Sequence, residues 1–221
     1  MKKNVLGFLA CVLASAIGTT AFAQTDNSTS TAKNEIGLVI GATETPSVRL
    51  QGIGALHLNS SLALGAEYDR KLFGRRTALY GGVSFLASPL DVRASFPAPN
   101  ISPEYASLYL SPHAKLKFNA DGVWQPWLVF GGGYANFSPA QPRSGNVTVS
   151  GEGSTGTLEF GGGVDTKPLV RLKGIPGIGV LPIGARFEVR DFYSGQPKYG
   201  VPANNNFQNN VAFTGGLVLR F

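Results

Sequence analysis

Thr214-Gly215-Gly216-Leu217-Val218-Leu219-Arg220-Phe221 ends the chain. Leu217, Leu219 and Phe221 share one parity, and the alternation runs to the last residue. A period of two is the pattern of a strand with one apolar face. An apolar strand left open at a sheet edge templates aggregation. The ending is therefore expected to close a sheet on itself, with the last strand paired to the first.

The same alternation recurs upstream, giving eight segments in all. The first, about 35–43, carries Ile36, Leu38 and Ile40 on one face. The second, about 55–70, carries Leu56, Leu58, Leu62, Leu64, Ala66 and Tyr68. The third, about 77–87, has Leu79, Val83 and Phe85. The fourth, about 105–118, sets Ala106, Leu108, Leu110, Pro112, Ala114, Leu116 and Phe118 against Tyr105, Ser107, Tyr109, Ser111, His113, Lys115 and Lys117. The fifth, about 124–136, has Leu128, Phe130 and Tyr134. The sixth, about 154–165, sets Leu158, Phe160 and Val164 against Thr157, Glu159 and Asp165. The seventh, about 180–192, sets Ile183, Ala185, Phe187 and Val189 against Arg186, Glu188 and Arg190. The eighth is 210–221.

Connections alternate in length. Leu72-Phe73-Gly74-Arg75-Arg76 and Asn119-Ala120-Asp121-Gly122 are short, and Asp-Gly is a hairpin signal. The connections around 44–54, 88–104, 137–153 and 193–209 are long and rich in Pro, Asn, Ser and Gly. Residues 166–178 depart from the pattern, being longer than a tight turn. An even strand count, with short turns at one end and long loops at the other, is what a closed antiparallel membrane barrel needs. A soluble β-sandwich or lipocalin-like barrel shows the same alternation with its apolar face inside. Aromatics near the strand ends favour the membrane form: Tyr68, Phe73, Phe118, Trp124, Trp127, Tyr134, Phe137, Phe192 and Tyr193 are expected to form interfacial girdles.

The order polar, any, Gly, any, any, large apolar, any, aromatic resembles the terminal signal of bacterial outer-membrane barrels. Thr214, Gly216, Leu219 and Phe221 fill its four specified places. In that family the segment is recognised by the machinery that inserts barrels. The whole resembles the OmpA-like transmembrane class, an all-β, eight-stranded, antiparallel up-and-down barrel, over residues 34–221. No counterpart of that class's periplasmic peptidoglycan-binding domain is expected here, so peptidoglycan anchoring is not carried over. The resemblance implies roles in envelope integrity, adhesion or minor passage of small solutes.

The other end agrees. Lys2 and Lys3, an apolar stretch from Val5 to Ile17, and Ala21-Phe22-Ala23 form a signal peptide, expected to be cut before Gln24. A transmembrane anchor would need a longer apolar run. Cleavage at Cys11 as a lipoprotein would follow Phe8-Leu9-Ala10, a poor match to a lipoprotein box. Residues 1–23 are thus read as signal, 24–33 as a polar leader and 34–221 as the barrel. Export through the inner membrane to the outer membrane of a Gram-negative-type bacterium is expected.

Cys11 is the one cysteine, which leaves the mature chain without a thiolate site or disulfide. Without Lys2 and Lys3 the 19 basic residues become 17, against 13 acidic ones. They are scattered, with no aromatic-interleaved basic stripe, so no nucleic-acid partner is expected. The expected partners are outer-membrane lipid and lipopolysaccharide, the insertion machinery and an extracellular ligand at the long loops.

If the apolar parity faces lipid, the other parity points inward. It carries Glu67, Asp69, Lys115, Lys117, Glu159, Asp165, Arg186, Glu188, Arg190 and Arg220, five acids and five bases. An eight-stranded barrel is just wide enough for side chains to fill. Balanced charges there favour a salt-bridged plug over a one-signed pore. The glycine runs Gly81-Gly82, Gly131–Gly133, Gly161–Gly163 and Gly215-Gly216 lack the Lys-Ser/Thr and helix of a phosphate loop. They fit strand bending and room for long neighbouring side chains. Gly131–Gly133 and Gly161–Gly163 are expected to lie on adjacent strands, where they could face one another. Pro112 and Pro126 each remove a ladder donor, and bulges or strand ends are expected there.

Some small outer-membrane barrels modify lipid A, such as deacylases with a His-x-Ser pair plus a Glu. Ser111-Pro112-His113 is the nearest match, in reversed order and on the lumen parity. Such enzymes keep their site on the lipid-facing wall. His57 and His113 are far apart and define no metal site. No catalytic residue, cofactor or metal is therefore assigned. The expected function is a structural or surface-interaction barrel; a narrow pore and a lipid A-modifying enzyme are the alternatives.

Overall fold

The computed structural model describes residues 32–50, 54–56, 60–89, 105–139, 153–175, 179–197 and 205–221. The signal segment, the leader to Thr31, His57, Leu58 and the interiors of the long connections lie outside the described residues. Eight long strands form the wall. They are β1 (Asn34–Glu44), β2 (Ser61–Gly74), β3 (Ala78–Ser88), β4 (Tyr105–Lys117), β5 (Trp124–Pro139), β6 (Gly153–Thr166), β7 (Gly179–Gly195) and β8 (Val211–Arg220). Each pairs antiparallel with its sequence neighbours, and β8 returns to β1, so the sheet closes. The closing register runs from Glu35↔Arg220 to Glu44↔Val211. Asn34 and Phe221 exchange backbone bonds of 2.9 and 3.0 Å just beyond it. Closure removes the edge that would otherwise expose ladder groups.

The two parities face opposite ways, and their polarity is the reverse of a soluble barrel's. Leu38, Ile40, Leu64, Leu128, Phe130, Leu158, Phe187, Phe213 and Leu217 point outward and are exposed, Phe130 to 64% and Phe187 to 60%. Carboxylates, ammoniums and guanidiniums point inward and are buried. The fold is thus an outer-membrane-type barrel rather than a lipocalin-like one.

Several local expectations change. β2 starts at Ser61, so Leu56 does not belong to it. Leu56 lies instead in a loop hairpin formed by Val48–Leu50 and Gly54–Leu56. The long 166–178 connection contains a strand, Val170–Ile175, that pairs with the first residues of β7. It prolongs the wall past the rim that carries the chain ends. The register irregularities fall at Leu72 and between Gly179 and Val180, not at the prolines. Pro112 interrupts the β4–β5 ladder between Leu110↔Tyr134 and His113↔Gly131 without shifting the register. In the 118–123 turn Asn119 takes the left-handed conformation (φ 50°), and Gly122 donates to its carbonyl at 2.8 Å.

The glycine triplets do not face each other. Gly161–Gly163 lie opposite Val129, Leu128 and Trp127, while Gly131 lies opposite Glu159. A Cβ on Gly163 would sit 2.5 Å from the Trp127 ring, and one on Gly37 would sit 2.5 Å from Arg186 Nη1. Glycine at these inward positions makes room for the two largest lumen side chains.

The aromatic girdle also needs correction. Trp124, Tyr134, Tyr193 and Phe73 are exposed on the outer surface. Trp127, Phe137 and Phe192 are at most 1% exposed and point inward. Trp127 and Phe137 are odd-numbered in β5, opposite in parity to Leu128 and Phe130, while Phe192 shares parity with Arg190. Nearness to a strand end suggested the interface, but parity decides the direction.

Candidate functional site

The inward parity builds two layers. The lower one, toward the rim with the chain ends, is charged. Asp165 anchors it: Arg186 donates to it twice, from Nε at 2.8 Å and Nη2 at 2.9 Å. Lys117 donates to it at 2.8 Å and the Trp127 indole at 3.1 Å. Lys117 also spans both oxygens of Glu35 at 2.7 and 2.6 Å, and Arg220 Nε reaches Glu35 at 3.1 Å. The remaining Arg220 donors go to the Thr166 carbonyl and Gln125 Oε1, both at 3.0 Å.

Above this, Glu67 accepts from Lys115, Arg186 and Arg190. Lys115 also meets Asp69, which hydrogen-bonds His113 Nε2 at 2.8 Å. Glu159 accepts from Arg190 at 2.5 Å and Ser84 at 2.8 Å. Glu188 accepts from Arg190 and Thr214 at 2.9 and 3.0 Å. Trp127 stands among three cations, with Lys115, Arg186 and Arg190 at 4.8, 5.2 and 5.3 Å from its ring. Charges removed from water on this scale are tolerated when each is paired and its remaining protons or lone pairs are used.

All ten inward charges named from the sequence lie in this layer, buried. Two participants were missed. Glu35 is 2% exposed and opens β1. Its inward neighbours are Gly37, Val39 and Gly41, which hide the polar parity of that strand, although Glu35 lay within the first alternating segment. His113 had no identifiable acid in the sequence. The register supplies two, since Gly82 pairs with both His113 and Asp69 and leaves the space between them open. With Glu35 the layer holds six carboxylates against five Lys and Arg. His113 stands between Asp69 and Glu159, the latter 3.8 Å from its Nδ1.

The upper layer is aromatic. Tyr109 stacks on Phe192 with centroids 4.7 Å apart and meets Phe137 edge-on at 6.1 Å. Leu86 and Ala135 are buried on the same parity. Above them Thr43 and Ser88 hydroxyls bond at 2.9 Å, and Asn210 Nδ2 donates to Ser194 at 3.1 Å. A cavity bordered by Glu67, Ser84, Leu86, Arg190 and Phe192 has a volume of only about 10 Å³, the space of one water at most.

Glu67, Asp69 and His113 offer ligand atoms within 4.8 Å of one another, the one such group among the described residues. The Lys115 ammonium already bridges the two carboxylates, so a metal would have to displace a paired cation. Ser111 donates at 3.4 Å to the Pro112 carbonyl, and no Ser111–His113 hydrogen bond exists among the described residues.

The four terminal-signal positions are wall elements. Thr214 points inward to Glu188. A side chain on inward Gly216 would meet the β1 backbone at Leu38 and Val39. Leu219 stands between Ile36 and Ile183, and the Phe221 backbone completes closure against Asn34.

No protein-family model matches the sequence, and no curated protein matches it. Solved structures do. Neisserial surface protein A (NspA) is 12% identical with a TM-score of 0.52, over 85% of this chain and 97% of that one. OprG, an outer membrane protein of Pseudomonas aeruginosa, is 13% identical with a TM-score of 0.47, over 86% and 96%. Ail, the attachment invasion locus protein of Yersinia pestis, is 16% identical with a TM-score of 0.44, over 86% and 99%. The likeness to NspA is one of fold.

Proposed function

We propose that this chain is a structural or surface-interaction barrel of a Gram-negative-type outer membrane, its lumen closed by its own side chains. The observation that carries the reading is the reversed polarity: an apolar outer wall around a buried interior rich in ion pairs. An apolar wall in water would aggregate, whereas in a bilayer it replaces acyl-chain contacts. In this orientation the rim with the chain ends faces the periplasm. The long connections then face outside, as the surface for an extracellular ligand. Outer-membrane lipid and lipopolysaccharide surround the wall, and the insertion machinery reads Thr214, Gly216, Leu219 and Phe221 during assembly.

A non-catalytic role is part of the proposal. Ser111 and His113 face the filled lumen rather than acyl chains. An outer depression between Phe187 and Phe213 is lined chiefly by apolar side chains and glycines. A closed lumen also argues against the narrow pore, since charged and aromatic layers stand in series.

The test combines three measurements on the refolded protein. Boiled and unboiled samples should migrate differently on a gel. Planar bilayers should show no steady single-channel current, and overexpression should leave lipid A masses unchanged. Steady current would replace the plug with a pore. Altered lipid A that His113→Ala abolishes would replace it with an enzyme.

A further inference from the structure

The lumen is nearly balanced in charge, so the chain's positive excess must sit elsewhere. Much of it sits on the rim that carries the chain ends. The end of β2 and the β2–β3 turn bear Arg70, Lys71, Arg75 and Arg76, all but Lys71 exposed. The β6–β7 extension bears exposed Lys167, Arg171 and Lys173, and Lys33 stands exposed before β1. Against these eight cations the one side-chain carboxylate among the rim's described residues is Asp121. None of the eight makes a side-chain ion pair among the described residues.

These groups fall in two clusters on one rim, separated by the 118–123 turn, and the rim segments are hydrogen-bonded in sequence. Lys71 N donates to the Lys33 carbonyl at 2.7 Å, Ala120 N to Arg76 at 2.9 Å and Lys167 N to Val123 at 2.8 Å. Large apolar side chains are interleaved with the cations: Leu72, Phe73, Trp124 and Leu169 are 58–68% exposed. On the β6–β7 extension the two characters separate by face. Val170 and Leu172 continue the outward apolar face through Ile183 and Leu181, while Arg171 and Lys173 share the other. The opposite end differs: its described charges are Glu44, Arg49 and Asp191, of both signs.

We infer that this rim is a docking surface for anionic phospholipid headgroups of the leaflet it borders. The inference rests on the outer-membrane reading above. Apolar and aromatic side chains at the belt's edge set the depth of the rim at the headgroup level. Unpaired cations at that depth attract anionic headgroups, an effect that accumulates with each residue and weakens with salt. A protein partner would not need each cation cluster to stand beside exposed apolar side chains at the belt's edge.

The test places the refolded full chain in phosphatidylcholine vesicles with or without phosphatidylglycerol, at low and high salt. Association of spin-labelled phosphatidylglycerol and phosphatidylcholine is compared. The wild type should prefer phosphatidylglycerol by at least about fivefold at low salt. Arg75→Gln, Arg76→Gln, Arg171→Gln and Lys173→Gln together should remove most of that preference, and Arg49→Gln should not. These side chains are exposed and unpaired, so folding should persist, as the heat-dependent gel shift checks in each vesicle. No preference in a wild type that shows the shift, or a preference kept by the quadruple variant, overturns the inference. Loss of the shift in the wild type would instead overturn the outer-membrane reading itself, and this inference with it.

Discussion

In the lower half of the lumen, Arg186 and Asp165 lie wholly buried amid ten other buried ionisable groups. In the upper half, Tyr109, Phe137 and Phe192 fill the same cross-section with rings. The side chains of both halves are buried, but the two are expected to respond differently to change. Ion pairs are directional, and a charge deprived of its partner keeps its desolvation penalty. Ring packing is less directional and can be refilled by a similar volume. The lower half is therefore expected to penalise a register slip or a lost partner more than the upper half does.

Breaking that contrast starts with Arg186→Ala. It strands Asp165 and Glu67 beside fewer cations, and should destabilise the micelle-folded barrel by about 3–5 kcal/mol. Urea unfolding followed by the gel shift measures this. Adding Asp165→Asn should cost less than the two single changes together, since the second removes a charge that has already lost its bidentate partner. A loss below about 1 kcal/mol for Arg186→Ala would mean that water reaches the layer as freely as a surface pair.

Trp127→Leu tests the place where the two chemistries meet, an aromatic ring surrounded by cations. It loses three cation–ring contacts and the bond to Asp165, and should cost about 2 kcal/mol in the same assay. A value as small as a volume-conserving swap in the upper layer would mean that Trp127 acts as filler and that the cations ignore its ring.

The wall was legible in the sequence because period-two alternation and closure are local constraints. The eight segments, the β8–β1 closure and the short turns all follow from them. What escaped depended on partners distant in sequence. The acids beside His113 become visible once β2, β3 and β4 are placed in register, since Asp69 and His113 are 44 residues apart. Glu35 was hidden by a glycine- and valine-filled inward face. Trp127, Phe137 and Phe192 were assigned by position along the strand, although the parity rule used for Arg186 and Glu188 would have turned them inward. The β6–β7 extension escaped because Val170–Ile175 follows Pro168, and its alternation is short enough to read as loop.

The smallest expected effect lies in the upper layer. Phe192→Leu keeps most of the buried volume and every charge pair below. Its loss is the stack on Tyr109 at 4.7 Å, so destabilisation should stay below about 1.5 kcal/mol. Conductance distinguishes the layers more sharply than stability does. If the charged layer closes the lumen by itself, the Phe192→Leu barrel should be as silent in planar bilayers as the wild type. Steady current from this one exchange would make the rings the true seal and leave the ion pairs below as a hydrated, selective vestibule.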